Sequence, residues 1–224
     1  MEKLIFDLGC YTLDSSEKYL YDDYKVIAID ANIDNINKCE KKYFDFVKNE
    51  KLILVNKAIS YKDDLLVDFY IAPDCLVWSS LNKGIAERIK KSNKVVISTI
   101  TLKSLIEKYG TPYYCKIDVE GADILALESL VGCDKDMLPK IISCETECLG
   151  VGETTDGLEV INKLYEIGYS KFFIVKQPKS IDIPFNDEPT WYNYEEICKI
   201  LTETRDKHHF ITFYDFWYDV YSAL

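Results

Sequence analysis

Two segments of this chain, Leu4-Ile5-Phe6-Asp7-Leu8-Gly9 and Tyr113-Tyr114-Cys115-Lys116-Ile117-Asp118-Val119-Glu120-Gly121, share one construction: an apolar run that closes on acid and then glycine. A strand buried on both faces reads as such a run, and its acids and glycine then fall at the carboxyl edge of a parallel sheet. In open α/β sheets that edge is where ligands bind. The pattern predicts an enzyme with a cofactor site in its first third and chemistry in its middle.

Around these segments strand and helix patterns alternate. Leu4 to Leu8 reads as a strand, Leu13 to Tyr21 as a helix capped by Thr12, and Lys25 to Asp30 as a second strand. Ile33, Ile36, Tyr43, Phe44 and Val47 fall on one helical face, and Leu52 to Val55 is a third strand. Between Leu65 and Ile71, apolar residues alternate with Leu66, Asp68 and Tyr70, which predicts an insertion or an antiparallel addition with one wetter face. Thr101, the spacing of Leu102, Leu105, Ile106 and Tyr109, and Gly110 mark the start, face and end of a helix.

The strand Tyr113 to Val119 follows, then a helix over Asp123 to Val131 and a strand over Ile141 to Glu145. A helix carrying Leu158, Ile161, Leu164 and Tyr165 precedes Gly168 and the strand Lys171 to Lys176. Beyond a proline-bearing loop from Gln177 to Pro189, Asn193 and Glu196 are spaced as a capping box, and an aromatic tail runs from Phe210 to Tyr221. The alternation predicts an α/β fold: a doubly wound, mostly parallel, Rossmann-like sheet with an inserted strand and loop region and a helical aromatic C-terminal tail. Residues 1–176 form the expected domain, with residues 177–224 a loop and helical extension packed on it.

The 224 residues carry 38 acids against 27 bases, a formal charge of −11, which opposes nucleic acid as a partner. Lys83, Arg88, Lys90, Lys91 and Lys94, with Glu87 among them, read as one solvated helix face. The eight cysteines include no Cys-x-x-Cys pair and have no histidine nearby, so free thiols in a reducing cytoplasm are expected. Cys144 and Cys148 could be read as metal ligands, but one sits at a strand tip beside Glu145 and the other in a loop, so no metal pair is expected there. No stretch approaches the ~18 apolar residues of a membrane helix, and Asp7 interrupts the first apolar run, so a cytoplasmic protein without a membrane partner is expected.

Asp30 closes the second strand about 20 residues after the first, the interval at which nucleotide-binding α/β folds set an acid against ribose hydroxyls. Gly9 admits a ligand to the first turn, and a helix starting after Thr12 aims its positive end there. The chain has no Gly-x-Gly-x-x-Gly, which disfavours NAD and favours a smaller adenosyl ligand, S-adenosylmethionine. The rival reading makes Asp7 and Asp30 turn acids.

Lys116, Asp118 and Glu120 share one side of their strand by period two, and Glu145 ends the following strand at the same edge. Carboxylates so close raise one another's pKa, bringing one towards the range of a general base; caps or a salt bridge to Lys116 are the alternatives. Ser79 and Ser80 are candidate donors to a polar substrate or simple turn residues. His208 and His209 lack a serine or cysteine partner and read as packing residues.

The residues resemble the FkbM-type S-adenosylmethionine-dependent methyltransferases. The likeness rests on Phe6-Asp7-Leu8-Gly9, Val26 to Asn32, Asn56-Lys57-Ala58-Ile59-Ser60, Phe69-Tyr70 with Ser79-Ser80-Leu81, Thr99 to Leu102, and Lys116-Ile117-Asp118-Val119-Glu120-Gly121-Ala122. It implies a class I methyltransferase fold with S-adenosylmethionine as cofactor. Asp7, Gly9 and Cys10 would line its methionine end, Asp30 would hold the ribose, and Ala31, Asn32 and Ala58 would border the adenine.

Asp118, Glu120 and Glu145 would face the acceptor as catalytic groups, with Ser79, Ser80 and Lys116 binding it. The implied reaction is O-methylation of a hydroxyl on a sugar, glycan or small metabolite. A carboxylate base is preferred over a divalent ion bridging Asp118 and Glu145, so no metal is expected, and oligomeric state stays open, a homodimer included. Where the family usually writes Asp-x-Gly-Ala-Asn-x-Gly, this chain has Asp7 to Leu13 without that Asn and second Gly. A binding or scaffold protein on a degenerate methyltransferase fold is therefore the alternative.

Overall fold

The computed structural model describes residues 3–147, 156–176, 189–207 and 217–224. The first half runs β1 (Leu4–Leu8), α1 (Glu17–Tyr21), β2 (Lys25–Ile29), α2 (Ile33–Lys42), α3 (Phe44–Lys48) and β3 (Leu52–Val55). An inserted region follows with β4 (Ala58–Ile59), β5 (Leu66–Ile71), α4 (Lys83–Ala86) and β6 (Asn93–Ile100). The chain returns through α5 (Leu102–Tyr109), β7 (Tyr114–Ile117), α6 (Asp123–Glu128), β8 (Ile141–Glu147), α7 (Gly157–Ile167) and β9 (Lys171–Lys176). It closes with α8 (Tyr194–Lys207) and β10 (Trp217–Ala223).

Seven strands form one sheet in the order β3-β2-β1-β7-β8-β10-β9. The five from β3 to β8 pair in parallel, and β10 runs antiparallel to both β8 and β9. Every residue of β1 is buried, as a strand covered on both faces requires. On one face Phe6, Leu8, Ile27, Cys115, Ile117 and Ile142 pack with residues of α5, α6 and α7. On the other, Ile5, Val26, Ala28 and Tyr114 pack with Tyr19 and Leu20 of α1 and Ile36 and Cys39 of α2. The sheet is thus doubly wound, and α/β as the alternation predicts.

Helix α5 has the expected signals, with Thr101 accepting from Ser104 N at 3.0 Å and Gly110 at φ 96° ending it. The capping box before α8 also forms: Asn193 accepts from Glu196 N and Glu196 accepts from Asn193 N.

Elsewhere the sequence pattern misleads. The first helix begins at Glu17 rather than after Thr12, because Tyr11 and Leu13 adopt φ values of 47° and 67° that no right-handed helix allows. Thr12 donates to Asp14 instead of capping. The helix expected through Val47 breaks at Tyr43, whose ring is buried. Strand β5 belongs to a separate three-stranded sheet, β4-β6-β5, so the alternating segment is an insertion. Its partner β6 escapes sequence reading because its first four residues are exposed and do not alternate.

Consequently Lys94 lies on β6, and α4 spans only four residues, so the basic residues do not share one helix face. The tail ends not as a helix but as β10, held between β8 and β9. The described cysteines are free thiols. Cys148, the loop over 177–188, His208 and His209 lie outside the described residues. No helix among the described residues is long and apolar enough to cross a membrane.

Candidate active site

The carboxyl ends of β1, β2, β7 and β8, together with one face of β10 and the inserted region, enclose a cavity of ≈ 760 Å³. At its first corner Gly9 takes φ 82°, and a Cβ there would stand 1.8 Å from the Asp118 carbonyl oxygen. Only glycine lets β1 and β7 close this tightly. The bend that follows is pinned by Gly9 N and Cys10 N, which both donate to the Ile29 carbonyl.

Asp30, at the tip of β2, accepts from Asn32 N at 2.7 Å on one oxygen, and from Tyr11 N at 2.9 Å and Asn35 Nδ2 at 3.2 Å on the other. Burial outweighs these bonds and pushes its carboxyl up to about 6. A carboxylate offers about four lone-pair sites, so one site on Oδ1 remains for a ligand. Asn56 holds this tip by donating to the carbonyls of Asp30 and Ala31. Ala31, Lys57, Ala58 and Ile59 continue the wall.

The second corner gathers titrating side chains. Strand β7 ends at Ile117, so Asp118 stands at its tip, and Glu120 lies beyond it at φ 48° rather than on the strand. Lys116 Nζ donates to Asp118 at 2.7 Å, with the two side chains 21% and 28% exposed, enclosed yet within reach of the cavity. Carboxylate oxygens of Asp118, Glu120 and Glu145 lie within 4.8 Å of one another.

Burial opposes charge on both Asp118 and Lys116, but their mutual attraction wins. Asp118 falls below the ordinary carboxylate range, helped by a hydrogen bond from Glu145, and Lys116 rises above the lysine range. Glu145 goes the other way, pushed well up by burial and then by the charges of Asp118 and Glu120. The acid that becomes a strong proton holder is thus Glu145, and Asp118 and Glu145 titrate as a pair sharing one proton.

Nine of the residues singled out from sequence line the cavity: Gly9, Asp30, Ala31, Ala58, Ser79, Lys116, Asp118, Glu120 and Glu145. Four others lie behind its wall. Asp7 is buried, and burial raises its pKa against the pull of Lys116 and of the neighbouring Ser16 hydroxyl. Cys10 packs in the core beside Cys39, and Asn32 caps α2 by accepting from Asp34 N. Ser80 donates to the Glu120 carbonyl at 2.6 Å and accepts from Asn82 N, tying the inserted region to the β7 bend.

Sequence reading missed Ser16, Asn35, Trp78, Tyr114, Ser143, Asp219 and Tyr221, all on the wall. Tyr114 was within reach, since it precedes Lys116 by the two residues that share a strand face. Asp219 and Tyr221 carry no such signal until β10 is known to pair with β8. Leu13 is fully buried in the core and does not line the cavity, whereas Tyr11 does.

The methyltransferase FkbM domain model matches residues 11–171, more than half of the chain. No curated protein matches the chain. Among solved structures, a SAM dependent methyltransferase from Archaeoglobus fulgidus matches 100% of this chain and 86% of its own, with 14% identity and a TM-score of 0.50. A precorrin-6y C5,15-methyltransferase from Geobacter metallireducens GS-15 covers 99% and 79% respectively, with 10% identity and a TM-score of 0.48. At 14% identity the first likeness establishes a shared fold, the class I methyltransferase sheet. A family match that takes in Asp30, Asp118 and Glu145, on that fold, makes this chain a member of the FkbM methyltransferase domain family, with S-adenosylmethionine as its cofactor.

Proposed function

We propose that the chain transfers a methyl group from S-adenosylmethionine to a hydroxyl of a sugar, glycan or small polar metabolite. The observation that carries this reading is the Lys116–Asp118–Glu145 cluster at the tips of β7 and β8, on the wall of the cavity that Gly9 and Asp30 also line.

The residues present fit the cofactor. Gly9 and Ser16 line the first corner of the cavity, and Asp7 is buried behind them, so its charge can favour a cationic group there only from behind the wall. The open site on Asp30 Oδ1 suits a ribose hydroxyl, and Ala31, Ala58 and Ile59 offer an apolar border for a base. When bound, the cofactor would supply an activated methyl carbon, to which an acceptor oxygen bonds in line as the carbon–sulfur bond breaks and S-adenosylhomocysteine leaves.

The protein's part is then alignment and proton removal. The cavity holds the acceptor oxygen near attack distance, ~3 Å from the methyl carbon. The Asp118–Glu145 pair takes the hydroxyl proton as attack proceeds. Lys116 keeps Asp118 ionised between turnovers, and the proton already held by Glu145 prevents two adjacent carboxylates from repelling.

A labelled-methyl transfer screen over glycans and small polyols tests the reading. Asp118→Asn should cut transfer by about 10²-fold or more while leaving S-adenosylhomocysteine affinity within about threefold. Undiminished transfer would remove Asp118 as the base.

The second reading, a binding protein on a degenerate fold, draws on the altered bend from Cys10 to Leu13. Its weakness is that Leu13 turns into the core rather than the cavity. Absence of heat on titration with millimolar S-adenosylhomocysteine would favour it.

A further inference from the structure

Part of the cavity wall comes from the inserted region: Phe69 of β5, a single short helical turn over Leu76–Trp78, and Leu81. The loop that carries this wall is held at both ends of its contact with the core. Tyr70 N donates to the Ser80 carbonyl at 2.9 Å, and Ser80 N donates back to the Tyr70 carbonyl at 3.0 Å. The Ser80 hydroxyl then reaches the Glu120 carbonyl at 2.6 Å, which sets the wall beside the reacting corner.

Two features of this wall are not explained by proton transfer at Asp118 and Glu145. Its hydroxyls are already committed. Ser79 donates to the Leu76 carbonyl at 2.7 Å and accepts from Ala72 N at 3.2 Å, so it has no proton left to give an acceptor, and Ser80 has spent its own on Glu120. Independently, apolar side chains here are left to water: Val77 is 47% exposed, and Leu76 and Trp78 are only half-buried. Apolar side chains gathered at the rim of a cavity mark a binding surface. The Arg88 guanidinium lies over the Trp78 ring, 5.6 Å from its centroid, and steadies the indole in the wall.

From this apolar wall, with its hydroxyls committed and the reacting cluster next to it, we infer that the methyl acceptor carries an aryl or alkyl group close to its reacting hydroxyl, and that Trp78 selects for that group. The inference rests on the methyltransferase reading above and deepens it. A wholly polar acceptor would give up water at this wall and gain no hydrogen bond from Ser79 or Ser80 in return. An apolar group removes its own surface and that of Leu76, Val77 and Trp78 from water together. The indole dominates the contact because it offers a broad surface and loses little rotamer freedom on binding.

The test is calorimetric titration of the protein saturated with S-adenosylhomocysteine, using methyl and phenyl β-D-glucopyranoside, which share their ring hydroxyls and differ in the apolar group. The phenyl glucoside should bind about tenfold more tightly. Trp78→Ala should bring the two affinities within about twofold of each other, and Trp78→Phe should restore most of the difference, a rescue that loss of loop structure would not show. Equal affinities in the unaltered protein overturn the inference, as do failure of both glucosides to bind and survival of the tenfold difference in Trp78→Ala. A loss of S-adenosylhomocysteine affinity in Trp78→Ala as large as the loss for the phenyl glucoside also overturns it, because the wall would then belong to the donor's adenine. If S-adenosylhomocysteine fails to bind the unaltered protein, the methyltransferase reading falls, and this inference with it.

Discussion

At the β2 end of the cavity Asp30 accepts from two backbone amides and the Asn35 amide, whereas at the β7–β8 end Asp118 leans on Lys116 and Glu145, side chains that themselves titrate. Backbone donors do not change charge or swing away, so the first arrangement is fixed and suits recognition of an invariant group such as a ribose. Side-chain partners exchange protons and adjust, which suits a reaction in which a proton must move. Both ends are enclosed, and the identity of the partners, not burial, separates a binding acid from a reacting one.

The harshest way to break this contrast is to part the two ends. Gly9→Ala places a methyl against the Asp118 carbonyl at a positive φ, so both ends should fail together, with a stability loss of more than about 4 kcal/mol in urea unfolding. Lys116→Met should disturb one end alone. It leaves Asp118 and Asp7 without their cation, costs about 3–5 kcal/mol of stability, and moves the acid limb of the rate–pH profile upward as Asp118 loses the partner that lowers it. Affinity for S-adenosylhomocysteine should change far less than transfer does.

The Asp30 end is probed by pH. Its folded-state pKa, about 6, exceeds the ordinary 3.8, so the folded chain holds that proton more tightly than the unfolded one. The resulting stabilisation is present below 3.8 and is lost as pH rises through about 6, a difference of roughly 3 kcal/mol. A ribose hydroxyl donating to Asp30 prefers the ionised form. S-adenosylhomocysteine affinity should therefore fall by about fivefold from pH 6 to pH 5, measured calorimetrically, and a flat profile would detach Asp30 from the ligand. The smallest expected effect is Ser80→Ala, which frees the inserted region from Glu120: about 1–2 kcal/mol of stability and a raised acceptor KM, with donor affinity unchanged.

The buried parallel strands were legible because burial on both faces leaves an unbroken apolar record, as in Leu4 to Leu8, and α5 and α8 because their caps act within three residues. Strand β6 was hidden because its exposed half has no face to bury, and β10 because its pairing with β8 is a contact distant in sequence. Within the site, Asp30, Asp118 and Glu145 stood out as acids closing apolar runs. Ser80 looked the same as Ser79 in sequence, and only the fold separates the latch from the wall residue.

The sequence by itself determined the doubly wound core, the corner at Gly9 and which acids reach the carboxyl edge, since each follows from local periodicity and the conformations single residues allow. Tertiary structure alone decided that Glu145 rather than Asp118 holds its proton tightly, that Asp7 sits behind the wall, and that Asp219 faces Glu145. Those outcomes depend on distances between charges and on the depth of burial, quantities that come into being only when strands far apart in the chain lie side by side.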